Sequence, residues 1–189
     1  MFRNLFTAFA IFAIFAQPLF ADDIVVEYQN NNYLSVYGYL DRGVVVDFIG
    51  ISSDSPYLMA GYTRQIGPAS GEILGGLVYN QTENYIGNAA IDLIAYGPFK
   101  KFFCLCCLEL APGIKDDGWI FTKTALSYKQ FGILATTLTP EGAGATIVKL
   151  GPTISWSWGN YGKLTTAWMH NFSDGAGKLC FQYKKTISF

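Results

Sequence analysis

The chain has 189 residues, with 13 basic and 14 acidic side chains and a formal net charge of −1. Only 14% of the residues are charged and 16% are aromatic, so the composition excludes an intrinsically disordered, collagen-like or coiled-coil chain. The length suits one domain, and the balanced charge gives no reason to expect a nucleic-acid partner.

The first 21 residues have the features of a secretory signal peptide. Arg3 supplies the positive start, Leu5–Ala16 is a short apolar run, and residues 19–21 resemble a cleavage site. The apolar run is shorter than the roughly 20 residues that a membrane-spanning helix needs. We therefore expect a mature single domain that comprises residues 22–189.

Apolar and polar side chains alternate with a period of two through the mature chain. This alternation occurs at 43–49, 89–96, 119–128, 147–158 and 179–189. Because successive side chains of a strand point to opposite faces, the period predicts β-strands, and no mature segment keeps a helical period. Pro152 lies inside the clearest segment, and we expect a bulge at Gly151-Pro152 to accommodate it.

Clusters of Gly, Asn, Asp, Ser and Pro separate these runs, as turns require. We place eleven turns at 29–32, 41–43, 52–56, 67–71, 80–88, 98–101, 111–118, 129, 139–144, 159–160 and 173–177. They divide the mature chain into twelve short strands, with ten or eight strands as alternatives. Long and short connections largely alternate, which is typical of transmembrane barrels with long outer loops and short inner turns.

The chain resembles bacterial outer-membrane β-barrels. The resemblance rests on the signal peptide, the amphipathic strands, the aromatic strand ends and the last strand, where Phe181, Tyr183, Ile187 and Phe189 look like that family's assembly signal. Lys185 departs from the pattern. The resemblance implies an all-β, antiparallel transmembrane barrel in the outer membrane of a Gram-negative bacterium. It also implies contact with outer-membrane lipid and lipopolysaccharide, and insertion by the barrel-assembly machinery.

If the apolar faces contact lipid, several charged side chains point into the barrel lumen. Residues 22–97 carry a net charge of −7 and residues 98–189 a net charge of +5, so one wall is acidic and the other basic. The sequence favours a narrow channel or porin for small solutes, or a structural membrane protein whose buried charges pair and fill the interior. The predicted lumen residues are Asp47, Asp92, Glu109, Lys123, Lys149, Lys163 and Lys184.

Two other functional classes stay open. A group late in the chain resembles the His–Ser pair of lipid A deacylase barrels: His170, Ser173 and Asp174. This resemblance implies an outer-membrane lipid hydrolase. The sequence departs from those enzymes, because a pair on one strand face needs i, i+2 spacing and position 172 is Phe172. A secreted soluble β-protein is the third alternative, since strand amphipathicity also occurs in β-sandwiches.

Cysteine and cofactor chemistry is sparse. The cluster Cys104, Cys106 and Cys107 lacks the spacing of a zinc or haem site. Cys107 and Cys180 both fall on the predicted inward face, and an oxidising compartment permits a disulfide between them. We expect no cofactor, no metal site and no nucleic-acid partner.

Overall fold

The computed structural model describes residues 21–29, 33–50 and 54–188. Residues 1–20 of the predicted signal peptide and Phe189 of the predicted assembly signal lie outside the described residues. Ala21, which we predict to end the signal peptide, is the first residue of the first strand.

Twelve strands make up the fold, and each pairs antiparallel with its neighbours in the chain. The first strand also pairs with the last, so the sheet is a closed barrel. This confirms the predicted all-β, twelve-strand antiparallel barrel. The strands are β1 (Ala21–Gln29), β2 (Tyr33–Leu40), β3 (Val44–Ile49), β4 (Tyr57–Ile66), β5 (Ala69–Asn80), β6 (Tyr85–Phe99), β7 (Phe102–Ala111), β8 (Trp119–Tyr128), β9 (Phe131–Pro140), β10 (Ile147–Ser157), β11 (Lys163–Asn171) and β12 (Gly177–Ser188).

Closure joins β1 to β12 over seven residue pairs, from Asp23 opposite Ser188 to Gln29 opposite Gln182. An open sheet would leave two rows of unpaired backbone N–H and C=O groups at its edges. Here the two edge strands bond each other, so the ring has no open edge. Within the described ranges, no helix is long and apolar enough to cross a membrane.

The connections differ in length between the two ends of the barrel. At the short-turn end, the chain reverses at 41–43, 67–68, 100–101, 129–130 and 158–162. At the opposite, long-loop end, the connections within the described residues are 81–84, 112–118, 141–146 and 172–176. Two predicted turns, 29–32 and 52–56, fall partly outside the described residues. The alternation of long and short connections therefore holds over β4 to β10, whereas the connection 158–162 is as long as 172–176.

Four local predictions were wrong. The turn predicted at 67–71 is only 67–68, because β5 begins at Ala69. The turn predicted at 80–88 is only 81–84, because Tyr85 and Ile86 pair with β5 after a register shift at Val78/Tyr79. The turn predicted at 98–101 is only 100–101, since β6 continues to Phe99. No register shift occurs at Gly151-Pro152: the pairing with β9 is continuous, and only the pairing with β11 is interrupted there. A proline without an N–H fits such a gap.

Two of the short turns share one sequence pattern, in which a lysine and a second polar residue stand between two aromatic residues. Lys100 and Lys129 each follow the aromatic residue and have φ of 56° and 54°. Two-residue hairpin turns need positive φ at their central positions, because only that backbone twist matches the twist of the strands. These turns therefore hold neighbouring strands in tight register.

Gly76 lies where two strands approach too closely for a side chain. A Cβ atom built at Gly76 would lie 2.1 Å from the backbone oxygen of Leu58 and 2.7 Å from Cα of Met59. At the adjacent Gly75, no atom lies within 4 Å of such a Cβ. The two glycines therefore differ sharply in the space that surrounds them.

We predict that Gly76→Ala lowers the free energy of unfolding by about 1–3 kcal/mol, because the added methyl group forces β4 and β5 apart. The matched variant Gly75→Ala is expected to change it by less than about 0.5 kcal/mol, because its methyl group projects into open space. Urea unfolding of the folded barrel, followed by tryptophan fluorescence, measures both. Equal destabilisation by the two variants would contradict the close approach at Gly76.

Candidate functional site

The strand register divides the side chains of the barrel into two faces. Residues that pair across neighbouring strands share a face, and the faces alternate along each strand. The inward face is that of Asp47, which is 1% exposed. The outward face of β4 to β12 carries exposed apolar side chains, including Ile73 (56%), Phe131 (57%) and Trp168 (54%). On β1 to β3, the outward side chains Ile24, Val36 and Phe48 are buried.

The register places all seven predicted lumen residues on the inward face. Asp92 lies opposite Glu109, Lys123 lies opposite Cys107, and Lys163 lies opposite Lys184. Four further charged residues, which we did not single out from the sequence, share this face: Asp23, Glu27, Glu72 and Lys178. The alternation of faces along each strand would have identified them: Lys178, for example, lies six residues before Lys184 on β12 and therefore on the same face.

Charge on the inward face is segregated by strand. All the inward carboxylates that the structure describes lie on β1 to β7, and the inward lysines lie on β8 to β12. The boundary falls between Glu109 on β7 and Lys123 on β8, rather than near residue 97 where the sequence division had placed it. The interior therefore has an acidic wall (Asp23, Glu27, Asp47, Glu72, Asp92 and Glu109) and a basic wall (Lys123, Lys149, Lys163, Lys178 and Lys184).

Apolar side chains cover much of the acidic wall. They form a buried cluster on the inward face of β3 to β7, and Tyr39, Tyr57, Ile94 and Trp119 pack against it. Four of the six inward carboxylates that the structure describes are at most 7% exposed. This side of the interior is therefore filled rather than open to water. The buried apolar residues are Val45, Met59, Leu74, Val78, Ala90 and Ala111.

Aromatic donors bind two of the wall's carboxylates. Glu72 accepts hydrogen bonds from the Tyr96 hydroxyl at 2.9 Å and from the Tyr39 hydroxyl at 3.4 Å. Glu109 accepts from the Tyr57 hydroxyl at 3.1 Å and from Nε1 of Trp119. The bonds from Tyr39 and Tyr57 connect strands that are not neighbours, namely β2 with β5 and β4 with β7, whereas the other two bonds join neighbouring strands. They tie the acidic wall into a fixed network across the barrel.

Asp47 and Asp92 lack such donors. Both carboxylate oxygens of Asp47 and Oδ1 of Asp92 are buried and have no hydrogen-bond partner among the described residues. Burial of a polar group without a partner is costly, so these two side chains strain the acidic wall. Across the described ranges, no three His, Cys, Asp or Glu side chains are arranged to hold a metal ion.

The basic wall has the opposite character. Lys149, Lys163, Lys178 and Lys184 are exposed, and Lys123 is half-buried. The residues between them on the inward face include Thr136, Thr153, Ser155, Thr165 and Gln182. None of the five lysines forms an ion pair with a described residue. The side of the interior that is accessible to solvent is thus hydroxyl-rich and positively charged.

His170, Ser173 and Asp174 are not brought together as a catalytic group. His170 lies on the outward face, where its ring contacts the Phe172 ring edge-on at 4.8 Å between centroids. The Ser173 hydroxyl donates to the backbone oxygen of Thr146, and Asp174 accepts from the backbone N–H of Ala176. The serine therefore links the loop 172–176 to the connection 141–146, and the aspartate stabilises its own loop.

The cysteines are free in the structure. Cys104 and Cys106 lie on the outward face of β7, whereas Cys107 lies on its inward face. Cys180 shares the inward face but lies on β12, and four strands separate it from β7 around the ring. The structure therefore does not bring Cys107 and Cys180 together as the predicted disulfide.

Aromatic side chains surround the short-turn end. Three residues of the predicted assembly signal, Phe181, Tyr183 and Ile187, lie on the outward face of β12, as does Lys185. Next to the short turns, Phe102 and Tyr128 pack with ring centroids 5.8 Å apart. The exposed aromatic residues that flank the turns at 100–101, 129–130 and 158–162 are Phe99, Phe102, Tyr128, Phe131, Trp156, Trp158 and Tyr161.

At the long-loop end, two connections clasp each other. Backbone N–H groups of Ile114 and Lys115 donate to the oxygen of Gly87, at 2.8 Å and 2.9 Å. The Asp116 carboxylate accepts hydrogen bonds from the Tyr85 hydroxyl and, at 3.0 Å, from the Asn80 amide. The loop 112–118 is thereby held against the β5–β6 hairpin. These hydrogen bonds lower the pKa of Asp116, chiefly the bond from Tyr85.

Comparison with known proteins finds no match: no protein-family model, no curated protein and no solved structure is similar to the chain.

We predict that the loop clasp depends on the ionisation of Asp116. Because folding lowers its pKa, the carboxylate stabilises the clasp fully above the ordinary aspartate pKa of about 3.9, and this stabilisation is lost as the pH falls through the lowered value. Hydrogen-exchange protection factors of Ile114 and Lys115 should therefore hold at neutral pH and fall in acid. Asp116→Asn should give lower protection that does not change with pH. Parallel pH profiles for the two proteins would contradict this role.

Proposed function

We propose that the protein is an outer-membrane β-barrel that works as a narrow channel for small solutes. One observation carries the proposal: in a closed ring of twelve strands, the charged side chains of the strands lie almost wholly on the inward face, whereas exposed apolar side chains cover the outside. This exposed apolar surface lies chiefly on β4 to β12. In lipid, a strand protein must close to satisfy its backbone groups and must turn its apolar face outward. A barrel in water has no reason to expose such an outer face.

The strand lengths and the aromatic end support this placement. β7, β8 and β9 have 10 residues each, and a tilted strand needs about 9–11 to cross the hydrocarbon core. The aromatic residues at the short-turn end match the girdle that such barrels place at the membrane surface. There, Nζ of Lys100 and Lys129 lies 5.8 Å and 5.6 Å from the rings of Phe99 and Tyr128. Lysines beside aromatic rings suit the lipid headgroup region.

The filling of the interior favours a narrow passage. Eight strands leave a barrel interior just filled by side chains, and twelve enclose a wider space. In this barrel, the apolar cluster and the acidic wall occupy one side of that space. The other side is lined by exposed lysines and hydroxyl groups, so a water-filled path would run along β8 to β12.

Recording from single barrels in a planar lipid bilayer tests the proposal. We expect the refolded mature chain to produce repeated conductance steps of one size. A barrel that is shown to be folded by its heat-dependent gel mobility, yet gives no steps, would overturn the channel and leave a structural membrane protein. The outcome thus separates the two functions between which the sequence alone could not decide.

Membrane placement has a separate test on the outward face. Ile91 lies near the middle of β6 and is 45% exposed, whereas Ile114 lies in the loop 112–118 and is 57% exposed. We predict that Ile91→Arg lowers the free energy of unfolding in lipid vesicles by about 2–4 kcal/mol, the cost of a cation near the bilayer midplane. Ile114→Arg should change it by less than about 0.5 kcal/mol.

Urea unfolding in vesicles, followed by tryptophan fluorescence, measures both variants. In a soluble barrel, both isoleucines would face water, and both arginines would be tolerated equally. Equal effects of the two substitutions would therefore reject the membrane placement.

A further inference from the structure

We infer that the passage through the barrel conducts anions, with the basic wall as the conducting surface. The inference rests on the proposed channel function and assigns its substrate class: small anions such as chloride, inorganic phosphate or short carboxylates. The starting observation is the sorting of charge by accessibility. Of the six inward carboxylates that the structure describes, four are at most 7% exposed and two are half-buried, whereas four of the five inward lysines are exposed.

The lysines extend from one end of the barrel to the other. Lys149 and Lys178 lie near the long-loop end, Lys123 lies midway along β8, and Lys163 and Lys184 lie at the short-turn end. Strands β8 to β12 carry no acidic residue, so no carboxylate interrupts the series. An ion that moves along this wall therefore meets positive charge at both mouths and in the middle. Rings or rows of lysine of this kind select anions in pores.

The pairing of Lys163 with Lys184 is a second, independent observation. The two residues are direct cross-strand partners on the inward face, and like charges in that position repel each other and destabilise a sheet. On the other side of Lys184 stands Glu27, but its Oε1 accepts from the Gln29 amide, and no ion pair with Lys184 forms among the described residues. Two cations that stand side by side on the inward face, without an ion pair among the described residues, form a site that a passing anion would occupy.

The acidic wall does not provide a competing cation path. Asp47 and Asp92 are buried at 1% and 4% exposure beside the apolar cluster, and Glu72 and Glu109 are bound by aromatic donors. A mobile cation would have to leave water to reach them, and desolvation opposes that step. The acidic wall therefore shapes the passage, and the basic wall faces the moving ions.

The reversal potential in a potassium chloride gradient tests the inference. We expect the wild-type barrel to be anion-selective, with a chloride-to-potassium permeability ratio above unity. Lys184→Gln should lower that ratio by up to about fivefold, the effect of removing one unit charge at about 4 Å in a water-like dielectric. The matched control is Lys185→Gln: Lys185 is adjacent in sequence but lies on the outward face, so the ratio should match that of the wild type.

Phosphate provides a second readout on the same barrels. Inorganic phosphate added at the short-turn side should reduce the chloride current of the wild type more than that of Lys163→Gln. A pore that conducts but prefers potassium, or one whose selectivity changes equally with Lys184→Gln and Lys185→Gln, would overturn the anion path and leave the channel intact. A folded barrel without any current would overturn the channel and, with it, the anion path.

Discussion

Closure of the ring is the constraint on which the rest of this structure depends. The seven pairs between β1 and β12 remove the only two edges that the sheet could have left open. A strand crossing lipid cannot leave its backbone N–H and C=O groups unpaired, because no water is present to bind them. Once the ring closes, every strand has one face toward the interior and one toward the surroundings. The period of two in the sequence then decides which side chains lie on which face.

The interior is divided in a way that closure alone does not explain. Carboxylates occupy the inward face from β1 to β7, and lysines occupy it from β8 to β12. The two groups do not neutralise each other in pairs within the described residues, which would have been the cheapest way to bury them. The carboxylates instead lie under an apolar cluster and bind aromatic hydroxyl and indole groups. The result is a barrel whose interior is filled on one side. The charged side chains that are exposed in this interior are lysines.

The two ends of the barrel are built for different surroundings. The short-turn end uses tight two-residue reversals at Lys100-Lys101 and Lys129-Gln130, with aromatic residues on both sides. The long-loop end is held by contacts between connections, such as the hydrogen bonds of Asp116 with Tyr85 and Asn80. Tight turns leave little chain beyond the strand ends, whereas the clasped loops add ordered chain at the opposite end.

The sequence by itself favoured twelve strands and assigned seven charged side chains to the inward face, because both follow from local chemistry: turn residues mark the reversals, and the period of two assigns the faces. It placed Asp47, Asp92 and Lys184 on one face without any knowledge of their neighbours. Only the tertiary structure decided which charges are buried and which stay accessible, because burial depends on side chains far away in the chain, such as Tyr57 beside Glu109. It also placed Cys107 and Cys180 on strands that are far apart in the ring. It directed the His170 side chain outward, while the Ser173 hydroxyl bonds the backbone of Thr146. Such distances depend on the order of all twelve strands in the closed ring.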